Sequence, residues 1–256
     1  MGFGPLERIC ISHLHGDHVT GLPGLLMTLG QTSRDKPLTI YGPPGIRQYI
    51  QGTSDNLTMY PGYQVIVEEV EGGVIYDTAQ YRIEAAQVDH NVFTLAYAFI
   101  EHQRPGRFDV NKARELGIPE GPLYQNLQKG KDVHLPDGRT IGSTEIVGPA
   151  RPGRKVVYAI DTRPSMKIIT LARHADLLIH DGMFDEKLSD EAHERGHSTA
   201  RQAAETAEEA GVERLILAHI SPRYEDSEEL LREARSIFPN TTVAEDLMAI
   251  EIPVHK

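Results

Sequence analysis

Five runs rich in β-branched and aliphatic residues, Ile9 to Ser12, Tyr81 to Val88, Val156 to Ile160, Leu177 to Ile179 and Leu215 to Ala218, each lead directly into histidine or aspartate. The residues that follow are His13, Asp89-His90, Asp161, His180-Asp181 and His219. Carboxyl ends of strands are where layered α/β sheets collect functional side chains, so this pattern predicts an α/β fold with one site gathered from distant parts of the chain. The densest contribution is His13-Leu14-His15-Gly16-Asp17-His18. Imidazole nitrogen and carboxylate oxygen suit borderline divalent ions such as Zn²⁺, and alternation sends His13 and His15 the same way from an extended backbone. A turn at Gly16 then aims Asp17 and His18 at a second ion.

Further strands are expected at Leu38 to Tyr41, Gln64 to Val70, Phe93 to Ile100 and Met248 to Ile252. Apolar spacing predicts helices over Pro43 to Ile50, Ser165 to Arg173, Thr199 to Ala210 and Ser227 to Phe238. Ser198 reads as the N-cap of the third and Gly211 as its stop. The segment Gln103 to Lys155 breaks this rhythm. It is rich in Gly and Pro, has one short helical stretch near Val110 to Leu116, and carries ten Lys/Arg against six Asp/Glu. It reads as an inserted basic, flexible arm over residues 103–155 of an otherwise single domain spanning 1–256.

At 256 residues and 39% hydrophobic content, the chain can bury a core of ordinary size. A net charge of −11 excludes a protein that binds nucleic acid over its whole surface, and the +4 balance of residues 103–155 leaves −15 for the remainder. Nothing resembles a membrane span or a signal segment. The single Cys10 permits no internal disulfide, so the expected location is cytoplasmic. Cys10 is expected in the core. His102, His134, His174, His193 and His255 lack ligand spacing, and at least four of them are expected in solvent.

The set HLHGDH, VDHNVFTLAYAF, AIDTRP, GHST and LAHISPRY resembles the metallo-β-lactamase superfamily, and within it the ribonuclease Z (tRNase Z) family. The narrower resemblance rests on Gly21 to Leu26, Asp161 to Pro164, His197 to Thr199 and Gly117 to Tyr124, and it runs from Gly4 to the C-terminus. It implies an αββα sandwich of two facing sheets flanked by helices, with an inserted exosite arm. It also implies two Zn²⁺ per subunit: His13, His15 and His90 on one, Asp17, His18 and His219 on the other, and Asp161 bridging. Asp17 would also orient or deprotonate the attacking water. His197 would serve as acid for the leaving oxygen or stabilise the pentacovalent phosphorus. The partner that orients this histidine in the family is a Glu; here Asp181 stands in its place, one methylene shorter, so its loop must come closer for the bond to form.

The activity implied is cleavage of precursor tRNA on the 3′ side of the discriminator nucleotide, by a homodimer with no membrane association. On the arm, Arg104, Arg107, Lys112, Arg114, Lys129 and Lys131 would grip phosphates, with Gly121-Pro122 shaping the exosite. The alternatives are another phosphodiesterase of the superfamily, and a catalytically weak metal- or RNA-binding protein. Family members usually begin with about fifty further residues whose strands cover one edge of the first sheet. A chain starting at Met1-Gly2-Phe3-Gly4 is therefore expected to lack those N-terminal strands, to be poorly soluble and to cleave weakly.

Overall fold

The computed structural model describes residues 6–255. The expectations attached to Met1 through Gly4 lie outside them. In chain order the elements are β1 (Arg8–Cys10), α1 (Gly16–Val19), α2 (Gly21–Gly30), β2 (Leu38–Gly42), α3 (Ile46–Leu57), β3 (Val65–Glu69), β4 (Gly73–Asp77), β5 (Tyr81–Val88) and β6 (Thr94–Glu101). Then come α4 (Val110–Glu115), α5 (Pro122–Gln128), β7 (Val133–His134), β8 (Thr140–Ile141), α6 (Ser143–Ile146), β9 (Lys155–Ala159) and α7 (Met166–Ala172). The chain closes with β10 (Leu177–Asp181), α8 (Ser189–Arg195), α9 (Ala200–Ala210), β11 (Leu215–Ala218), α10 (Glu228–Arg235) and β12 (Thr241–Val243). Two compact units result: the chain up to Ile100 with Lys155–Ile252, and Glu101–Arg154 with the residues from Pro253.

The first unit holds a parallel sheet, β1-β2-β3, and a mixed sheet ordered β12-β11-β10-β9-β6-β5-β4. Leu22, Leu26 and Leu29 recur on one face of α2, and with Ile46 and Ile50 of α3 they cover Leu38 and Ile40 of the parallel sheet. Ile83, Ala85, Leu95 and Tyr97 fill the space between sheets, with Cys10 and Val70 packed against them. The outer face of the mixed sheet buries Val157, Leu178 and Leu215 under the alanine-rich face of α9 and under α7 and α10. The layers are therefore α, β, β, α.

Strands β9, β10 and β11 run parallel, so their carboxyl ends share one edge. β6 is antiparallel to β9, and the short 89–93 connection requires β5 to be antiparallel to β6, which brings the end of β5 to that same edge. Tyr97 donates its hydroxyl to the Ile11 carbonyl at 2.7 Å, and the Leu95 N–H donates to the Ser12 carbonyl at 2.9 Å. These bonds tie the segment before His13 to β6.

Several boundaries differ from the sequence expectation. α2 lies outside the helices expected from apolar spacing; Gly21, Gly24 and Gly30 lower its helix propensity, and the leucine spacing supplies a buried stripe that outweighs this. Pro43, Pro44 and Gly45 precede α3 rather than opening it, and the helix runs on to Leu57. β4 and β12 were missed, being short segments held by pairing with β5 and β11. Met248 to Ile252 does not form the expected strand, and Met248 is exposed. The N-cap of α9 is Thr199, whose hydroxyl accepts from Gln202 N–H, and Gly211 ends the helix in the left-handed conformation. Cys10 is only partly buried. His134, His174 and His193 are exposed, but His102 and His255 are half-buried, one fewer solvated than expected.

The second unit has its own core of Ala113, Ile118, Leu127, Val133, Leu135, Ile141 and Ile146. In place of one short helix it contains α4, α5, α6 and the β7-β8 hairpin. Asp109 caps α4 by accepting from Lys112 N–H at 2.9 Å. α5 starts on Gly121 at φ +129° with Pro122 in its first turn, where a missing N–H costs nothing. The apolar positions were present in the sequence but scattered among glycines and prolines, which hid their common face.

Candidate metal centre

Every residue that the sequence reading assigned to the two ions comes together in the first unit. Ligand-type atoms of His13, His15, His90 and Asp161 lie within 4.8 Å of one another, as do those of Asp17, His18 and His219. His15 precedes α1 in extended backbone and the helix starts at Gly16, so a single turn carries Asp17 and His18 around to the second group. Asp161 and His219 follow β9 and β11 with φ of +55° and +59°. Left-handed backbone in residues other than glycine costs about 1–3 kcal/mol each and persists where the surroundings enforce it, commonly at functional sites.

Asp161 stands between the groups. One carboxylate oxygen, Oδ2, is 3.5 Å from both His13 Nε2 and His18 Nε2 and 3.9 Å from His90 Nε2; the other, Oδ1, is 3.4 Å from His219 Nε2. Oδ1 is buried and accepts no hydrogen bond among the described residues. Burial, reinforced by the nearby Asp181 charge, pushes the Asp161 carboxyl up to about 7. Burial, with His18, His15 and His90 adding repulsion, pushes His13 down to about 3, which keeps that imidazole neutral and its lone pair available. His18, His90 and His219 are shifted the same way, chiefly by burial.

The donor chemistry fits a cation. His90 Nδ1 donates to the Gly196 carbonyl at 2.7 Å, so Nε2 carries the lone pair. That nitrogen lies 3.4 Å from His15 Nδ1, which lies 3.1 Å from His13 Nε2. A proton on His15 can serve only one of these pairs, whereas a divalent ion satisfies three converging lone pairs and the orphaned Asp161 oxygen together.

A ring nitrogen of His197 also lies within 4.8 Å of ligand-type atoms of Asp161 and His219, and His197 Nδ1 donates to Asp181 Oδ2 at 2.7 Å. The shorter side chain reaches because Asp181 ends β10, fully buried, with Oδ2 also accepting from Thr162 N–H at 3.1 Å and Oδ1 from Met183 N–H at 3.0 Å. Three donors fix the carboxylate, and it in turn fixes the imidazole. With Nδ1 engaged, Nε2 is the ring nitrogen available for proton transfer. The ring stacks on His219 at 5.2 Å and lies 5.2 Å from His90. His180, fully buried, bonds through Nδ1 to the Asp181 carbonyl and joins none of the ligand groups. Asp89 faces Arg163 at 3.0 Å rather than the cluster. The Gly196 carbonyl and the Thr162 and Met183 N–H groups escaped sequence reasoning because backbone atoms carry no residue signature.

In the second unit, Arg107, Lys112, Lys129 and Lys131 are exposed, as are Gly121 and Pro122. Arg114 is paired with Glu120 at 2.8 Å and Arg104 is half-buried.

The layered fold with His and Asp side chains collected at strand ends defines the metallo-β-lactamase class, and a family model of the beta-lactamase superfamily domain matches residues 133–220. Ribonuclease Z of Methanothermobacter thermautotrophicus is 44% identical over 99% of this chain and 83% of its own length. Ribonuclease Z of Haloferax volcanii is 43% identical over 98% of the chain and 80% of its own. The crystal structure of human tRNase Z, short form, superposes with a TM-score of 0.70 at 25% identity, covering 99% of this chain and 82% of that one. The chain belongs to the ribonuclease Z family.

Proposed function

We propose that this chain is a zinc-dependent endoribonuclease that removes the trailer of precursor tRNA, cutting on the 3′ side of the discriminator nucleotide and leaving a tRNA 3′-hydroxyl and a trailer 5′-phosphate. The observation that carries this reading is the convergence of both ligand groups on Asp161 with the His197–Asp181 couple alongside, in a chain similar along nearly its whole length to proteins named ribonuclease Z. His13, His15 and His90 would hold one Zn²⁺, Asp17, His18 and His219 the other, and Asp161 both. Such ions activate water and neutralise charge that develops on a scissile phosphate.

The chain's own groups supply the proton transfers. Asp17, exposed at the rim, can accept the proton of the attacking water. The bond from phosphorus to the 3′ oxygen then breaks, and that oxygen takes a proton from His197 Nε2, whose Nδ1 bond to Asp181 stabilises the charged imidazole in the preceding state. The homodimer implied by the resemblance and a cytoplasmic setting belong to the same reading; no described helix is long and apolar enough to cross a membrane.

Arg107, Lys112, Lys129 and Lys131, exposed and without ion-pair partners among the described residues, are the cations suited to tRNA phosphates. A quadruple Ala variant tests this. Precursor tRNA binding should weaken and its log–log salt slope should fall by up to about 0.9 for each phosphate no longer neutralised, while hydrolysis of a small chromogenic phosphodiester stays unchanged. Loss on neither substrate would favour a phosphodiesterase acting on small molecules, and equal loss on both would refute a role specific to tRNA for these four residues.

A further inference from the structure

The Asp161-Thr162-Arg163-Pro164 motif places Asp161 in the metal centre and the Thr162 N–H on Asp181, but gives Arg163 no part in either. The Arg163 side chain is only 15% exposed. Its Nη1 donates to Asp89 Oδ1 at 3.0 Å, its Nη2 to Asn91 Oδ1 at 2.8 Å and its Nε to the His193 carbonyl at 2.7 Å. Its backbone N–H donates to the Asp89 carbonyl at 2.8 Å. Asn91 extends the same network by donating from Nδ2 to the Arg195 carbonyl at 2.9 Å.

One guanidinium therefore joins the turn of residues 89–91 to the C-terminal end of α8 and its cap, residues 193–196. His90 is carried by the first, and the carbonyl that accepts its Nδ1 proton, Gly196, belongs to the second. We infer that Arg163 is a positioning residue that holds His90 with Nε2 toward the metal centre, by locking the turn that carries the ring to the helix end that orients it. The inference rests on the reading of His90 as a ligand.

The ion pair with Asp89 is the weakest part of the clasp, because the Asp89 side chain is 58% exposed and water screens it. The amide and carbonyl contacts carry the geometry. Together with the Asp89 contact they take three N–H vectors diverging from one rigid plane, and a lysine ammonium cannot reach all three acceptors at once. Lys at this position keeps the charge and loses the clasp, which separates electrostatics from positioning.

The test is titration of metal-free protein with Co²⁺, followed by visible absorption, which reports ligand number and symmetry without requiring turnover. Arg163→Lys and Asn91→Ala should each weaken one of two binding events, by about 10- to 100-fold for the arginine, the usual cost of removing a group that orients a ligand, and should alter its absorption band. Arg201→Ala, which breaks an exposed pair with Glu205 at 3.0 Å, should change neither. Co²⁺ affinity and spectrum unchanged in both Arg163→Lys and Asn91→Ala overturn the inference, even if thermal stability falls, since that is what a merely structural clasp would show. His90→Ala binding Co²⁺ as wild type does would show that His90 is no ligand, and the inference fails with it. A wild type that takes up no Co²⁺ would overturn the metal reading itself.

Discussion

Replacing Asp181 by Asn probes the acid couple at its most constrained atom. The carboxylate is fully buried and accepts from His197 Nδ1, Thr162 N and Met183 N at 2.7, 3.1 and 3.0 Å. An amide has one acceptor oxygen and two N–H donors of its own. If its oxygen serves Thr162 and His197, its nitrogen meets the Met183 N–H; if it is reversed, its nitrogen meets the Thr162 N–H and His197 must give up its Nδ1 proton. Either way at least one buried donor is left unpaired, a cost of about 1–3 kcal/mol. For a protein of this size that corresponds to a fall in Tm of roughly 2–12 °C. The first orientation removes the negative charge that stabilises a protonated His197, and the second imposes the wrong tautomer. Single-turnover cleavage of precursor tRNA should slow by about 10² to 10⁴, the usual value of a positioned acid, with metal content and substrate binding unchanged. Asp181→Glu restores the charge but forces an extra methylene into a closed site, at about 1–3 kcal/mol of overpacking, and should keep more activity than Asn. A rate within twofold of wild type in Asp181→Asn, together with the expected loss of stability, would refute the assignment of His197 as the acid.

Three further outcomes follow from individual groups. A Cβ on Gly196, at φ +84°, would lie 2.5 Å from His90 Nδ1, so Gly196→Ala should displace that ring and lower both Tm and the stoichiometry of bound metal measured by atomic emission; full metal content would refute this. At pH 6 the ion-free protein holds a proton on Asp161, pushed up to about 7, and none on His13, pushed down to about 3. Metal binding must therefore release the Asp161 proton below pH 7 and cease to do so well above it, which calorimetry in two buffers of different ionisation enthalpy reads directly. In the second unit, hydrogen bonds from Arg154 hold Glu101 down to about 2 against an ordinary 4.5, outweighing the burial that opposes them. This depressed carboxyl contributes stability that is complete above pH 4.5 and lost as pH falls toward 2. Hydrogen exchange in residues 101–154 should accelerate over that window in wild type and lose that component in Glu101→Gln.

Residue type and strand-end position marked His13, His15, Asp17, His18, His90, Asp161 and His219 as metal-type donors but also pointed to Asp89, His180 and Asp181, and the resemblance to ribonuclease Z separated the two sets. α2 shows the limit. Its leucines at i, i+4 and i+7 favour a helix and its three glycines disfavour one, and the apolar surface of β2 decides between them. The segment 103–155 shows the same limit, since its scattered apolar residues share a face only after α4, α5 and the β7-β8 hairpin have packed.

The layered class and the strand ends that terminate in histidine or aspartate could be read from the chain, because each depends on local periodicity and residue type. Tertiary structure decided whether a shorter acid could replace a longer one. Asp181 reaches His197 because β10 ends where the Thr162 and Met183 amides already hold its carboxylate, and no local rule specifies that distance. It also decided which imidazole nitrogen faces the centre, since the tautomer of His90 is set by a carbonyl 106 residues away in the chain. Hydrogen-bond direction is a property of groups brought together by folding, and residue identity alone does not encode it.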